Sequence, residues 1–247
     1  MKVAKPSVIF ENAEEVNEER VLRRLERYGR TCYRSEDRIT PNACEFVKTI
    51  IARGHESILE HEKVTVRVVC DRGVTHEIVR HRIAAYSQES TRYCNYAGGR
   101  FGSVVTVITP FFFDPGGAEK EVSLPLGLLP CKLNEFGVWW VAMLFSEWAY
   151  MTLVNVFGRS PQEARSVLPN SLRTEIVITY NLREWRHFLR LRTSPAAHPQ
   201  MREIAITLLW AFKHYLPTVF EDIPMPQDAD KVPRTSWEIR VGGGEDG

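Results

Sequence analysis

The chain has 247 residues, enough to bury one sizeable hydrophobic core. Hydrophobic residues make up 44% and charged residues 26%, the balance of an ordinary globular protein and not of a disordered chain. A formal net charge of +1 supplies no bulk field for a nucleic-acid or membrane partner, so any anion has to be recognised locally.

Taken in order, Met1 to Pro6 leads into no apolar signal core. Glu14 to Tyr28 reads as a charged surface helix. Thr40 is placed as the N-cap, and Pro41 as the first residue, of a helix that runs to Ala52 or Arg53 and is stopped by Gly54. Glu56 to His61 is a short helical turn. Val64, Val66 and Val68 alternate with Thr65, Arg67 and Val69, the period of a strand with one buried face. Gly73 is expected to break it, with a helix over Val74 to Arg82. Tyr86 to Gly99 reads as a loop and Ser103 to Thr109 as a strand. Asp114 to Gly127, rich in Gly and Pro, is a loop or insertion. Leu133 to Phe157 is expected to be a long buried helix. Its apolar run, Gly137 to Phe145, is too short to span a bilayer. Ser160-Pro161 starts a helix that ends near Pro169. Leu172 to Tyr180 is a strand, and Leu182 to Arg192 and Pro199 to Tyr215 are helices. The expected fold is α+β, a twisted and mainly antiparallel sheet flanked by helices. It forms one domain over 1–223, with a partly disordered tail over 224–247 that includes Gly242-Gly243-Gly244.

The cysteines Cys32, Cys44, Cys70, Cys94 and Cys131 are scattered without a C-x-x-C pair. They read as reduced thiols of a cytoplasmic protein, not as a disulfide framework or a zinc site. Between Arg159 and Arg202 there are eight Arg and three Glu but no Lys or Asp. Arginine without lysine suggests forked recognition of phosphate or carboxylate. The most informative string is Arg80-His81-Arg82, followed after seven residues by Ser90, then Arg92 and Tyr93. It sets two guanidinium groups and an imidazole at a helix end. Successive helical residues point about 100° apart, so the three bridge neighbouring ligands and do not all grip one anion. The loop Gln88-Glu89-Ser90-Thr91-Arg92 adds an amide, a hydroxyl, backbone N–H groups and another guanidinium, a suitable lining for phosphate. Charge alone favours a plainer reading, a solvated basic turn.

The string Arg80-His81-Arg82-x7-Ser90-x-Arg92-Tyr93 resembles the signature of the flavin-dependent thymidylate synthases. Upstream, Gly54-His55-Glu56-Ser57-Ile58-Leu59-Glu60-His61 is similar to that family's G-H-E-[ST]-x-x-E-H segment. Downstream, Ala164-Arg165-x-Val167-Leu168-Pro169 is similar to its A-R-x-x-L-P helix end. Asn181-Leu182-Arg183 and Leu189-Arg190-Leu191-Arg192 resemble the stretch that meets flavin and uracil. The four segments occur in the family's order over roughly residues 40 to 215. The resemblance implies reductive methylation of dUMP to dTMP, with FAD as cofactor and 5,10-methylenetetrahydrofolate and NADPH as co-substrates. It implies that Ser57, Arg80, His81, Arg82, Gln88, Asn181, Leu182, Arg183 and His187 hold FAD. Glu77, Arg80, Gln88, Glu89, Ser90, Thr91, Arg92, Arg165 and Arg192 would hold dUMP, with Arg192 the catalytic group at the uracil edge. It also implies a homotetramer whose sites are shared between subunits.

The chain departs from the family in places. Ser87-Gln88-Glu89 stands where Asn-Glu often precedes the loop serine, and His187 stands where Asn is common. Thr193 to His198 is slightly longer than usual, which leaves His198 and Gln200 without an assigned role. No metal is expected. His76 and His81 are five residues apart, about 140° around a helix, and share no face. Ser90 lacks a G-x-S-x-G elbow and is not read as a nucleophile. Cys131 is followed by Lys132, unlike the reactive cysteine of the flavin-free thymidylate synthases, and reads as a loop residue. The aromatics Trp139, Trp140, Phe145, Trp148 and Tyr150 read as core or subunit interface. No G-x-G-x-x-G offers a Rossmann crevice. The alternative from a different class is an RNA- or nucleotide-binding module that uses the arginine-rich segments with Tyr86, Tyr93 and Tyr96.

Overall fold

The computed structural model describes residues 1–32, 34–39, 42–123 and 130–240. In chain order the strands are β1 (Lys2–Ala4), β2 (Ser7–Phe10), β3 (Lys63–Asp71), β4 (Ala84–Gln88), β5 (Thr106–Ile108), β6 (Lys120–Val122), β7 (Cys131–Leu133), β8 (Arg173–Asn181) and β9 (Ser236–Ile239). The helices are α1 (Glu18–Thr31), α2 (Ala43–Ala52), α3 (Arg72–Ile78), α4 (Glu135–Asn155), α5 (Pro161–Ala164), α6 (Leu182–Arg192), α7 (Pro199–Tyr215) and α8 (Pro217–Phe220). Helices and mixed sheets make up the expected α+β architecture. The chain divides into two compact units. The larger comprises Pro6–Val69, Val74–Gln88 and Glu175–Gly247; the smaller comprises Met1–Lys5, Cys70–Gly73 and Glu89–Thr174.

The larger unit is built on a five-stranded sheet of order β4-β8-β3-β2-β9. β2 runs antiparallel to β3, β4 antiparallel to β8, and β9 parallel to β2. The valine alternation of β3 works as its period demands, with Val64, Val66 and Val68 fully buried. Ile176, Ile178 and Tyr180 do the same on β8. Aromatic rings tie strand to helices. Tyr180 and Trp185 lie 4.5 Å apart, Trp185 and Phe212 5.1 Å, and Phe212 and Phe220 4.5 Å. Asn17 caps α1 by accepting the Arg20 N–H, and α1 buries Val21, Leu22, Leu25 and Gly29. A Cβ on Gly29 would stand 2.7 Å from the Phe46 ring, so a larger residue there would have to displace that ring from between α1 and α2. α2 stops at Gly54, whose φ of +71° suits glycine. The expected cap at Thr40 and Pro41 lies outside the described residues.

The smaller unit holds the parallel pair β1–β5, the antiparallel hairpin β6–β7, and α4. Its core is Tyr96, Val105, Val107, Trp139, Met143, Tyr150, Ala164 and Leu172. Ser160 and Glu163 close a capping box at the start of α5, the role that Ser160-Pro161 announces.

Five expectations need correcting. The helix after β3 begins at Arg72 and ends at Ile78, so Gly73 lies inside it and Arg80-His81-Arg82 lies beyond its end. Tyr86 belongs to β4 and pairs with Ile178, not to a loop. β4 is an edge strand whose half-buried Ala84, Tyr86 and Gln88 are too polar to show a hydrophobic period. Cys131 sits in β7, and within the expected 114–127 loop Lys120–Val122 forms its partner β6; residues 124–127 lie outside the described ones. Helix α4 buries only Trp139, Met143 and Tyr150 within the chain, and Phe145 and Trp148 are exposed. In the segment read as a tail, Ser236–Ile239 forms β9, anchored where Thr235 Oγ1 donates to the Pro6 carbonyl. Gly242, Gly243 and Gly244 lie outside the described residues.

Candidate active site

Helix α6 carries Leu182, Arg183, His187 and Arg192 of the residues the sequence points to. Asn181 accepts the Glu184 N–H at 2.8 Å and so caps the helix. Arg192 ends the same helix, eight positions beyond Glu184. Its guanidinium is held on three sides. Nη1 donates to Glu77 Oε2 at 2.9 Å, Nη2 to the Glu77 carbonyl at 3.0 Å, and Nε to His81 Nε2 at 3.1 Å. Three of its five N–H donors are thereby used, leaving two, one on each terminal nitrogen.

His81 is buried and also contacts Glu184, whose Oε1 lies 2.9 Å from Nδ1. Burial lowers the His81 pKa below its usual 6.5; Arg192 and His187 push it the same way, and Glu184 opposes them. The turn that carries His81 is clamped from below. The Tyr86 hydroxyl lies 2.8 Å from the Ile78 carbonyl and 2.5 Å from the His81 carbonyl. The Tyr180 hydroxyl lies 2.7 Å from that of Tyr86 and 3.3 Å from the Ile78 carbonyl. Ile78 ends α3, and its carbonyl, which the helix itself leaves unpaired, also accepts the His81 N–H at 3.1 Å. Burial raises the pKa of both tyrosines, which keeps the clamp protonated.

Arg80 and Arg82, on that turn, are exposed and have no carboxylate partner among the described residues. Ser57 is exposed on the 56–61 turn. His187 is exposed, with its ring 5.5 Å from that of His81. Arg183 is exposed but bonded to Glu60 at 2.5 Å. Leu182 is fully buried, and its N–H is bonded to the Glu62 carbonyl. It therefore shapes the start of α6 and offers a ligand no side-chain surface. Gln88 donates to Thr75 Oγ1 at 2.9 Å.

The loop residues lie in the smaller unit. Glu89 accepts from Tyr96 at 2.6 Å and from Arg173 at 2.9 Å, so its carboxylate is engaged inside the unit. Thr91 is buried, and Arg165 Nη1 reaches its hydroxyl at 3.4 Å. Arg165 and Arg92 are exposed, and the Arg92 guanidinium lies 5.5 Å from the Tyr93 ring centroid. Ser90 Oγ accepts the Arg92 N–H at 3.3 Å, which rounds the loop into a turn. Arg92 and Arg165, exposed, forked and without a carboxylate partner among the described residues, are the kind of donor a phosphate takes.

Sequence reasoning missed the partners that position these groups: Glu184, Tyr180, Tyr96 and Arg173. Glu184 had a signal, because Asn181-x-x-Glu184 is the spacing of a helix start. It also overvalued arginine count. Arg186 is fully buried and bonded to Glu56, Asp222 and the Val219 carbonyl. Arg202 is bonded to Asp228 through two nitrogens, at 3.0 and 2.6 Å. These arginines hold the fold. His81, Glu184 and His187 present ligand atoms within 4.8 Å of one another, a spacing a cation would accept. Both ring nitrogens of His81 are already engaged there, one by the cationic Arg192. A cavity of about 710 Å³ is lined by Arg30, Arg34, Arg38, Phe46, Arg53 and His55 among others. Of the quoted family motifs only His55 lines it, and none of the residues assigned to FAD or dUMP does, so size alone does not mark the site.

A family model described as thymidylate synthase complementing protein matches residues 17–218. Proteins called flavin-dependent thymidylate synthase include one from Mycobacterium avium, 33% identical over 82% of this chain and 79% of its own length. Another, from Geobacter sulfurreducens, is 34% identical over 78% of each. Among solved structures, the UMP/dUMP methylase PolB from Streptomyces cacaoi bound with 5-Br dUMP superposes with a TM-score of 0.66. It is 18% identical and covers 90% of this chain and 96% of that one. The flavin dependent thymidylate synthase ThyX from Helicobacter pylori, complexed with FAD and dUMP, has a TM-score of 0.62 at 24% identity, covering 82% and 94%. At such identities the two structures speak for the shared fold.

Proposed function

Because the chain belongs to the flavin-dependent thymidylate synthase family, we propose that it methylates dUMP to dTMP with FAD, 5,10-methylenetetrahydrofolate as carbon donor and NADPH as reductant. The observation that carries this reading is the Arg192 guanidinium, fixed on three sides with two N–H groups left over. Bound flavin would supply the hydride that completes the methyl group. The protein's own share is recognition and charge. Arg192 donates to the uracil edge and stabilises the anionic form of the N3–C4=O system, which activates the base. Glu77 holds that guanidinium in plane. Arg80 and Arg82 offer unpaired forks to the FAD pyrophosphate, Asn181 and His187 add polar contacts beside them, and His81 backs the site through its bonds to Glu184 and Arg192. Ser57 and Gln88 complete that set, and Arg183 joins it by leaving Glu60. Ser90, Thr91, Arg92 and Arg165 take the dUMP phosphate and sugar, on a loop that Glu89 braces.

The assembly belongs to the same proposal: a homotetramer with each site shared between subunits. The exposed apolar surface of α4, including Leu144, Phe145 and Trp148, supports it, being the kind of surface a subunit contact buries. Arg92→Ala and Arg192→Ala, each inactive alone, are expected to regain activity on co-expression, because mixed oligomers then contain intact sites. No recovery in proven mixed oligomers would place both residues in one chain's site. Five free cysteines and the absence of any membrane-crossing helix among the described residues favour a cytoplasmic setting. The decisive assay is direct. The purified protein is expected to show a flavin spectrum that NADPH bleaches, and to release tritium from labelled dUMP when methylenetetrahydrofolate is present. A colourless protein that takes up no FAD on titration would refute the reading.

A further inference from the structure

The two hydrogen bonds at His81 fix more than a contact. An arginine Nε–H only donates, and arginine keeps its proton at every accessible pH. With Arg192 Nε 3.1 Å away, His81 Nε2 must therefore present a lone pair. The ring proton then sits on Nδ1, 2.9 Å from the Glu184 carboxylate, which accepts it. An imidazolium would set an N–H against an N–H and a cation beside a cation. The groups facing His81 are Glu184 and His187 of α6, Arg192 at the end of that helix, Glu77 of α3, and the rings of Tyr180 and Phe188. Among them only Glu184 touches Nδ1 and only Arg192 touches Nε2. Glu184 is buried and occupies the third position of α6, where the helix N-terminus favours a carboxylate. Its charge is balanced across the ring by Arg192.

We propose that Glu184 is a positioning residue: through the Nδ1–H tautomer of His81 it sets the plane in which Arg192 presents its two remaining N–H groups to the substrate. The chain of contacts is Glu184, His81, Arg192, Glu77, with a fixed donor and acceptor at each link. The arrangement follows the logic by which an orienting carboxylate fixes a functional histidine elsewhere. Its catalytic consequence rests on the reading of Arg192 given above; the tautomer itself does not.

The test separates the two. In ligand-free protein labelled with ¹⁵N-histidine, His81 is assigned by loss of its signals in His81→Gln. Its Nδ1 is expected to be protonated and its Nε2 bare at pH 7. A proton on Nε2, or on both nitrogens, overturns the inference whatever the enzyme does. In turnover, Glu184→Ala is expected to lower kcat about tenfold to a hundredfold, the loss that follows removal of an orienting partner from a histidine in metal sites. KM for dUMP should hold. Glu184→Gln, whose amide oxygen still accepts from Nδ1–H, should recover most of that loss and keep the wild-type His81 spectrum. Full activity in Glu184→Ala, or an equal loss in Glu184→Gln with unchanged His81 signals, also overturns it. If Glu184→Ala does not fold, the wild-type spectrum and Glu184→Gln decide. The stated tautomer in a protein that methylates no dUMP would instead sink the proposed function and leave the positioning geometry standing.

Discussion

Arg192→Lys keeps the positive charge and removes the planar fork, so it separates charge from geometry. The arginine spans Glu77 Oε2 at 2.9 Å, the Glu77 carbonyl at 3.0 Å and His81 Nε2 at 3.1 Å. A lysine ammonium satisfies the carboxylate and cannot hold the other two acceptors in the same plane. His81 Nε2 then loses its donor in a buried setting, which costs about 1–3 kcal/mol of stability. The larger effect is catalytic. Losing one donor fixed at a developing negative charge costs about 2.7–4 kcal/mol, roughly 10²–10³ in kcat. In the proposed site other residues take the dUMP phosphate, so KM for dUMP should stay within about threefold, as expected when only transition-state contacts are lost. Steady-state tritium release at saturating labelled dUMP gives kcat, and a thermal melt gives the stability change. A kcat within about threefold of wild type would refute the assignment of Arg192 as the group that activates the base. A rise in KM at unchanged kcat would make it a binding residue.

The other expectations follow from the surrounding contacts. His81 has its folded pKa lowered from 6.5, so below about pH 6.5 the unfolded chain binds a proton that the folded chain refuses. Stability should therefore fall as pH drops through about 6.5 and level off below the folded pKa, and an NMR titration of His81 with a midpoint above 6.5 would contradict the packing. Tyr86→Phe removes the hydroxyl that holds the Ile78 and His81 carbonyls, and should cost about 1–3 kcal/mol and weaken FAD binding in a fluorescence titration. An unchanged melt and unchanged FAD affinity would show the clamp to be idle. Arg165→Ala should raise KM for dUMP about tenfold or more with kcat kept, since a phosphate contact acts in ground and transition state alike. Its melt should move by less than about 0.5 kcal/mol, because the side-chain hydrogen bond described for it is the long 3.4 Å one to Thr91. Arg186→Ala should destabilise by about 3 kcal/mol in a denaturant titration, the low end for a broken buried pair because Asp222 is half exposed. Wild-type stability there would mean its ion pairs contribute nothing.

The helices and strands that were legible in the sequence are those with a clean period or an end signal. β3 and β8 alternate, α7 runs from Pro199 to Tyr215 as read, and Ser160-Pro161 opens α5. β4 was invisible because an edge strand of Ala, Ala, Tyr, Ser and Gln has no apolar face to repeat. The end of α3 was misplaced because what stops it is tertiary: two tyrosine hydroxyls, one more than a hundred residues away along the chain, meet the Ile78 carbonyl. The same holds at the site. The motifs named the groups that would face ligands, yet the partners that aim them are drawn from other segments and carry no motif. Arginine shows the limit most clearly. Arg186 and Arg192 lie on one helix six positions apart, and nothing local distinguishes them. Arg186 meets two carboxylates and is buried, while Arg192 meets one and keeps two N–H groups uncommitted. Where the carboxylates lie decides which arginine is structural.

Helix α4 poses the converse problem. A helix apolar on every face is ordinarily buried on every face, and that expectation rests on the whole surface around it. Within one chain only Trp139, Met143 and Tyr150 are covered, while Trp148 stays 64% exposed and Phe145 52%. Fully burying a side chain of that size is worth about 1.5–3 kcal/mol, so leaving several in water sacrifices a large part of a domain's net stability. Sequence periodicity cannot divide such a helix into a side for its own core and a side for something else, since both sides carry the same residue types. The division emerges only from the fold, where the smaller unit covers one face and leaves the other. The proposed tetramer accounts for the remaining face by the same hydrophobic effect that built the core, so assembly and folding would share one driving force in this enzyme.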